Sequence, residues 1–296
     1  MANLKEVRTR IASVSSTQQI TSAMKMVSAA KFRRAQNAII GMRPYAAQLN
    51  EIISDIDIDD GVQTPYHAVR NVQTVVLVVV TSNKGLCGAF NSNVLKLAQQ
   101  RIDHYRSEQV AIRIVSIGKK ASELLARQKD LQLSSYDALL DAPSFDAIAT
   151  LADTLMDDFA EKRIDRVELI YNQFKNSLSQ VLSDEQWLPV ESGKSGKTGK
   201  SGLSGKTGAN NDYIYEPSKE EILREMIPLT LRSTFYRVVL DSLAAEHGAR
   251  MTAMQKATDN ATELLKDLRL SYNKARQASI TNEIIEIVSG SEALKG

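Results

Sequence analysis

The chain has 296 residues, a hydrophobic content of 43% and a formal net charge of +2, which is typical of a folded soluble protein and favours no strongly charged partner. A single cysteine, Cys87, excludes an internal disulfide and fits a reducing compartment. Three scattered histidines indicate no zinc site, and the longest apolar run, Val75 to Val80, is too short to cross a bilayer.

A long helix is predicted over residues 3–56, within an N-terminal coiled-coil segment of residues 1–58. Its apolar residues keep the three-four spacing of a coiled-coil seam at Leu4, Val7, Ile11 and Val14. Gln18 takes the next seam position, and the pattern then predicts a change of phase to a row of Ile20, Met24 and Val27. We expect Gly41 and Pro44 to kink or locally unwind this helix. The segment begins without an apolar signal sequence, so a cytosol-facing, bacterial protein is expected.

Residues 72–217 are predicted to form an α/β domain. Valine-rich runs typical of buried strands alternate with helical stretches, and this alternation predicts a parallel sheet with right-handed crossovers. The predicted strands are 72–83, 110–118, 166–174, 179–190 and 212–217, and the predicted helices are 92–107, 119–128 and 144–163. A loop over residues 191–211 is expected to be flexible.

A second long helix is predicted in the C-terminal coiled-coil segment, residues 218–296. It runs from Leu229 to Ser289, because no proline follows Pro228. One row keeps strict three-four spacing at Met251, Met254, Thr258, Ala261, Leu265, Leu268, Tyr272 and Ala275, and a second row follows at Ile280, Ile284 and Ile287. Alanines four residues apart, at 245, 249, 253, 257 and 261, either let the N-terminal helix approach closely or serve only as helix formers.

Two helices of this length do not fit a compact core, so each needs a partner, and the simplest partner is the other helix. The sequence therefore predicts the α/β fold class, with a long antiparallel coiled coil of the N- and C-terminal helices and an inserted Rossmann-like α/β domain. The predicted segments are residues 1–58, 72–217 and 218–296.

A glycine-rich tract, SGKSGKTGKSGLSGKTG at residues 192–208, imitates the end of a nucleotide-binding P-loop. A P-loop needs a glycine five residues before its Gly-Lys pair, and the glycines here recur every third residue, so that spacing cannot be met. The lack of proline argues against a collagen helix. We interpret the tract as a flexible, solvated hairpin loop between the last two predicted strands.

The turn SNKGLCGAFN, residues 82–91, follows the strongest predicted strand, where a phosphate could bind. It lacks the dinucleotide fingerprint, since it reads only Gly85-x-x-Gly88, and no clear acidic residue ends the second strand. We interpret it as a structural turn in which Cys87 is a small buried side chain. No catalytic set is evident, so the sequence predicts a mechanical or binding part without a cofactor or metal.

The first 43 residues are basic, with Glu6 as the only acidic side chain. The basic side chains are Lys5, Arg8, Arg10, Lys25, Lys31, Arg33, Arg34 and Arg43. They could bind phosphates or an acidic protein surface, or form a solvated helix face. Phe32 is the only aromatic residue among them, so stacking on nucleic-acid bases is poorly supported.

Long stretches near both ends of the chain identify a family. The stretches are IASVSSTQQITSAMKMVSAAKFRRAQ (11–36), ARMTAMQKATDNA (249–261) and SYNKARQASITNEIIEIVSG (271–290). Together with SNKGLCGAFN and YIYEPS, they closely resemble the gamma subunit of the F-type rotary ATP synthase, of the bacterial type. The resemblance runs end to end except across 191–211. Chloroplast gamma subunits carry a regulatory cysteine pair, which a single cysteine does not supply.

The resemblance implies the central rotor shaft of a proton-driven ATP synthase, present in one copy per complex. Its coiled coil would stand inside a ring of alpha and beta subunits, and its α/β domain would meet the epsilon subunit and the membrane c-ring. Rotation of the c-ring would drive ATP synthesis or hydrolysis on the beta subunits, so the chain is expected not to be an enzyme. Membrane association would be indirect, at the cytoplasmic face of the bacterial inner membrane, and no nucleic-acid partner is implied.

The resemblance also implies partner-contact residues on both helices. On the first helix they are Met24 and Lys25, with Lys31, Arg33 and Arg34 nearby. On the second helix they are Arg250, Met254, Thr258, Asp259 and Asn260 and, in the upper shaft, Arg276, Gln277 and Thr281. An apolar bearing is expected at Ile284 and Ile287. Met24 and Met254 could equally belong to the core of the coiled coil.

Overall fold

The computed structural model describes residues 4–55, 64–128, 130–176, 179–190, 216 and 218–293. Its helices are α1 (Leu4–Asp55), α2 (Phe90–Ser107), α3 (Lys119–Leu125), α4 (Phe145–Ala160) and α5 (Lys219–Ala293). Its strands are β1 (Thr74–Val80), β2 (Ala111–Ile117), β3 (Gln132–Ser135), β4 (Arg166–Phe174) and β5 (Gln180–Leu188). The strands form a sheet in the order β3-β2-β1-β4-β5, parallel except for β5, which pairs antiparallel with β4.

The chain divides into two compact units. One comprises residues 1–29 and 250–296, and the other comprises residues 30–249. Both α1 and α5 contribute to each unit, whereas the sheet and α2, α3 and α4 belong to the second. We refer to the first as the helix-pair unit and to the second as the sheet unit.

The sheet unit is built around β1, whose valine-rich residues are buried on both faces. Alternate residues of β1 pack with α2 and α3 on one face, and with α4 and residues 223–243 of α5 on the other. Successive side chains of a strand point to opposite faces, so a central strand covered on both sides requires an uninterrupted apolar run. This is why the run TVVLVVV is the clearest prediction of a strand in the sequence.

The predicted fold class is confirmed, with an alternating α/β sheet between two long helices. The sequence did not predict β3, because its four residues, QLSS, are mostly polar and pair only at the sheet edge. β5 is antiparallel rather than parallel because residues 175–179 are too few for the crossover that a parallel pair needs. The predicted loop at 191–211 and residues 212–215 and 217 of the last predicted strand lie outside the described residues.

Both long helices differ from expectation at a proline. The helix α1 is continuous through Gly41 and Pro44, so the expected local unwinding is absent from residues 4–55. The helix α5 begins at Lys219 instead of Leu229 and continues through Pro228. Its additional turns bury apolar side chains in the core of the sheet unit, at Leu223 and Ile227. Tertiary packing of an amphipathic helix therefore outweighs the local preference of proline.

Candidate functional site

In the helix-pair unit, two side-chain contacts fix how α1 and α5 pair. Gln18 Nε2 donates to Thr262 Oγ1 at 2.7 Å, and Thr258 Oγ1 donates to Thr21 Oγ1 at 2.8 Å. Residue numbers rise along α1 as they fall along α5, which confirms the predicted antiparallel arrangement. We call these four residues the polar layer.

The polar layer is linked to the backbone of both helices. Thr21 Oγ1 donates to the Gln18 carbonyl at 3.0 Å, and Thr262 Oγ1 donates to the Thr258 carbonyl at 2.8 Å. The hydroxyls of Thr21 and Thr262 therefore each donate once and accept once. Polar residues within a helix interface specify register, because their contacts exist in one alignment of the helices only. An axial slip would break the two bonds between the helices, whereas Thr21, Thr258 and Thr262 would keep a carbonyl of their own helix as partner.

The predicted change of phase in α1 is wrong. The three-four spacing that begins at Leu4 continues through the polar layer to Ser28, and Thr21 and Ser28 are 8% and 3% exposed. Of the predicted apolar row, Ile20 and Val27 are 56% and 58% exposed, and Met24 is half-buried. The seam was hidden because its positions after Val14 are polar, namely Gln18, Thr21, Lys25 and Ser28. In the polar layer, hydrogen bonds satisfy the polar groups of these side chains.

The predicted seam of α5 is confirmed by burial. Met254, Ala261 and Leu265 are buried in the helix-pair unit, and Thr258 lies half-buried among them in the polar layer. The burial of Met254 assigns its side chain to the helix pair, which is one of the two interpretations that the sequence left open. Met24, on α1, is only half-buried.

The residues predicted to contact partners differ in accessibility. Arg250 and Met254 are buried, and Met24, Lys25 and Thr258 are half-buried. The exposed members are Lys31, Arg33, Arg34, Asp259, Asn260, Arg276, Gln277, Thr281, Ile284 and Ile287. Lys31, Arg33 and Arg34 belong to the sheet unit, and the remaining members belong to the helix-pair unit.

The C-terminal part of α5 extends beyond the paired region of the helix-pair unit. Continuing the register of the polar layer brings Leu4, the first described residue, opposite about residue 275. Beyond that point, five large apolar side chains are 48% to 71% exposed: Ile280, Ile284, Ile285, Ile287 and Val288. A contiguous exposed apolar surface on a helix indicates a contact with another molecule. We call residues 276–293 the free end of α5.

Sequence reasoning missed several exposed apolar residues. Ile20 and Val27 stand seven residues apart on one outer face of α1, and Met26 nearby is 64% exposed. Following the strict seam through Gln18 would have placed them outside the helix pair. Leu86, in the turn of residues 82–91, is also 64% exposed. A single apolar residue in a turn belongs to no periodic pattern, so its exposure could not be predicted from the sequence.

The carboxyl edge of the parallel strands, where open α/β sheets bind ligands, is filled by side chains of the chain itself. Asn83 Nδ2 donates to the Asp137 carbonyl at 3.0 Å, and the Lys119 amide donates to Asn83 Oδ1 at 3.1 Å. The Ser82 amide donates to Asn91 Oδ1 at 3.0 Å. These bonds support the interpretation of residues 82–91 as a structural turn.

Among the described residues, no group of His, Cys, Asp and Glu side chains is placed to hold a metal ion. No helix within the described ranges combines the length and apolar character needed to cross a membrane. The Gly-Lys tract at 192–208 lies outside the described residues.

A half-buried charged cluster fastens α5 to β5 in the sheet unit. Arg237 donates to Glu185 Oε2 at 3.1 Å and lies 3.6 Å from Asp241, while Tyr171 Oη donates to Glu185 Oε2 at 3.0 Å. Burial alone would lower the pKa of Arg237, but the negative charge of Glu185, together with Tyr171 and Asp241, raises it above its usual value. Burial raises the pKa of Tyr171, which therefore remains a hydrogen-bond donor. Trp187 Nε1 adds a bond of 3.2 Å to the Leu231 carbonyl.

Comparisons with known proteins match most or all of this chain to subunits of ATP synthases. A family model described as ATP synthase matches residues 3–294. An ATP synthase gamma chain of Flavobacterium johnsoniae is 51% identical over 298 residues, covering 100% of each chain. A chain from the central stalk and c-ring of Tetrahymena thermophila mitochondrial ATP synthase is 26% identical, with a TM-score of 0.57 over 80% of this chain and 99% of that chain. A chain of the Euglena gracilis mitochondrial ATP synthase, 22% identical, shares the fold with a TM-score of 0.66 over 98% of this chain and 94% of that one.

Proposed function

This chain belongs to the family of ATP synthase gamma chains, with the central-stalk role in the F1 head, and we propose that it turns there as the shaft of the complex. In this proposal it transmits rotation of a proton-driven c-ring to the catalytic head. The chemistry of ATP synthesis and hydrolysis then occurs on the beta subunits, and this chain changes their conformation.

The observation that carries the proposal is the free end of α5. Its isoleucines, including Ile284 and Ile287, are exposed, although a helix surface that faces only water does not need apolar side chains. Apolar contact is non-directional, so a helix that turns inside an apolar sleeve breaks few hydrogen bonds at each step. A sleeve formed by the alpha and beta subunits would cover this surface and leave it able to rotate.

The polar layer supports the same proposal. A shaft that carries torque must resist sliding of one helix along the other, and the polar layer opposes a slip because its bonds exist in one register only. Because α1 and α5 both contribute to both units, torque applied to the sheet unit reaches the helix-pair unit through two covalent connections.

A shaft can drive the beta subunits only if their different states contact it differently. The two helices offer chemically different surfaces for this, since the described exposed charged side chains of α1 are basic apart from Glu6, whereas α5 exposes acidic residues such as Asp259 as well as basic ones. We propose as partner contacts Met24, Lys25, Lys31, Arg33, Arg34, Arg250, Met254, Thr258, Asp259, Asn260, Arg276, Gln277, Thr281, Ile284 and Ile287. Arg250 and Met254, which are buried, would support their neighbours from within the helix pair.

The remaining partners follow from the same role. The α/β domain would meet the epsilon subunit and the c-ring, with one copy of the chain in each complex. Its attachment to the membrane would be peripheral and indirect, at the cytoplasmic face of the bacterial inner membrane.

Reconstitution with purified alpha and beta subunits tests the proposal. We expect this chain to assemble with them and to stimulate their ATPase activity, whereas the isolated chain hydrolyses no ATP. A chain that neither joins the alpha-beta ring nor stimulates it would refute the proposal. Salt-sensitive binding of RNA or DNA by the same preparation would instead favour a nucleic-acid-binding coiled coil.

A further inference from the structure

The turn of residues 82–91 packs against α5 within the sheet unit. Cys87 and Phe90 are 2% and 0% exposed and form an apolar cluster with Ala245, against which Phe174 and Ala249 also pack. Ala245 and Ala249 are one helical turn apart on the same ridge of α5. This part of the alanine row therefore receives the turn of the α/β domain, and the adjacent Ala244 packs in a separate cluster with Ile39 of α1.

The turn is built to hold Cys87 and Phe90 in place. Leu86 and Gly88 both have left-handed backbone conformations, with φ of 63° and 62°, and the left-handed region is unfavourable for a leucine. Asn91 Nδ2 donates to Cys87 Sγ at 3.2 Å, which ties the turn to α2. Asn172 Nδ2 donates to the Phe90 carbonyl at 3.0 Å, which ties it to β4. The strained backbone of Leu86 therefore persists because the bonds to α2 and β4 hold the turn in this conformation.

Phe174, at the end of β4, connects this cluster to the N-terminal helix. Its ring meets the ring of Phe32 edge to face, with centroids 5.4 Å apart. Phe174 also packs with Ile39 of α1 and with Leu240 and Ala244 of α5. One aromatic side chain of the sheet therefore touches both long helices and the turn of residues 82–91.

We infer that Cys87, Phe90 and Phe174 form a rigid joint through which the α/β domain turns the two helices, an inference that rests on the proposed function. The joint transmits torque because close-packed side chains cannot shift continuously past one another. Ala245 and Ala249 are positioning residues, since their small size lets the turn seat against α5. The joint does not open during rotation.

A disulfide locks the joint and tests it. Cys87 is the only cysteine of the chain, so Ala245→Cys or Ala249→Cys allows a single defined bond. A disulfide requires Cβ atoms about 3.5–4.5 Å apart, so its formation also tests the contact. We expect at least one variant to form the bond in the assembled ATP synthase. ATP-driven proton pumping by the oxidised complex in vesicles should stay within about twofold of the same sample after reduction.

Two outcomes would overturn the inference. If neither variant forms the disulfide, the turn does not seat on α5. If pumping is lost on oxidation and returns on reduction, the contact moves during turnover and is not a rigid joint. The complex with the unsubstituted chain is measured beside them, and its failure to assemble or pump would count against the proposed function rather than against the joint.

A second variant loosens the joint. Ala245→Leu overpacks the contact, and we expect the number of protons pumped per ATP hydrolysed to fall about tenfold while hydrolysis by the head continues. A side chain with a purely structural role would lower hydrolysis and pumping together, through loss of assembled complex. The matched control, Ala245→Ser, keeps a small side chain and should restore the pumping ratio. An unchanged ratio in Ala245→Leu would contradict the inference.

Discussion

At the scale of single residues, the backbone conformation at position 118 requires a glycine. Its φ is 114°, and a Cβ at this position would lie 2.5 Å from the Thr81 carbonyl oxygen. The hydroxyl of Thr81 donates to the Gly118 carbonyl at 3.1 Å and accepts from the Ala121 amide at 3.0 Å. This close approach joins the ends of β1 and β2 to the start of α3.

Gly118→Ala should therefore destabilise the sheet unit. We expect the free energy of unfolding to fall by about 1–3 kcal/mol, as for other strained backbone positions, in urea titrations followed by circular dichroism. Gly41→Ala is the matched control, because Gly41 lies in α1 with nothing within 4 Å of an added Cβ. That change should be neutral or should stabilise the protein by up to about 1 kcal/mol. Equal effects of the two substitutions would contradict this account.

Tyr105 makes a residue-scale prediction for alkaline pH. It is 2% exposed and donates to Glu168 Oε1, and burial, together with this hydrogen bond, raises its pKa from 10.0 to about 12. An unfolded tyrosine loses its proton near pH 10.0 while the folded one keeps it, so this stabilisation is complete below pH 10.0 and disappears as pH rises toward about 12. The free energy of unfolding should fall across this window, and less steeply in Tyr105→Phe. Identical pH profiles for the two proteins would contradict the assignment.

At the scale of elements, the polar layer should set the register of the helix pair. Thr21→Val with Thr258→Val keeps side-chain shape and removes the hydroxyl contact between the helices, so pairing should persist while its register loosens. Spin labels at Ala12 and Arg269, both exposed, report the spacing of α1 and α5 in a Cys87→Ser background. We expect a broader distance distribution in the double variant.

A matched control exists for the polar layer. Thr9 and Thr17 are exposed, and their hydroxyls donate only to carbonyls of their own helix, those of Lys5 and Ser13, at 3.0 Å each. Thr9→Val with Thr17→Val should leave the distance distribution unchanged. If the control broadened the distribution as much as the polar-layer variant, the register would not depend on the contacts between helices.

The free end of α5 makes the second element-scale prediction. Ile284→Asp with Ile287→Asp places two charges where an apolar sleeve is proposed, and an unpaired charge is strongly disfavoured in an apolar environment. Yields of assembled complex, or its ATPase rate, should fall several-fold relative to the unsubstituted chain. Asn282→Asp with Ser289→Asp adds the same charge to the same segment at exposed polar positions and should have a smaller effect. Normal assembly and turnover in the isoleucine variant would refute the sleeve.

At the scale of the whole molecule, the sequence predicted most of the fold because its longest patterns are unambiguous. The buried run of β1 is short and consists mostly of β-branched valine, which favours a strand, and the strict three-four spacing of α5 from Met251 indicates a helix. The seam of α1 could not be predicted correctly past Gln18. A periodicity argument counts apolar residues, and the next seam positions hold polar side chains. β3 was missed for the same reason, since its polar residues are placed by pairing with β2 and not by burial.

The candidate site was less predictable than the fold. The resemblance to a known family supplied the proposed contact residues, and burial then distinguished Met254, inside the helix pair, from exposed residues such as Arg276. The joint was beyond sequence reasoning, because it brings the turn of residues 82–91 together with Phe174 and Ala245 from distant parts of the chain. A sequence pattern within one helix cannot reveal which other element packs against its alanines.

The most direct test of the central claim is to watch this chain turn. The alpha-beta head is immobilised through its beta subunits, and a probe is attached at Glu108→Cys, an exposed position at the end of α2 in the sheet unit. On addition of ATP, the account predicts that the probe rotates continuously in one direction and stops when ATP is exhausted. Full-rate ATP hydrolysis by assembled complexes whose probes remain stationary would contradict it.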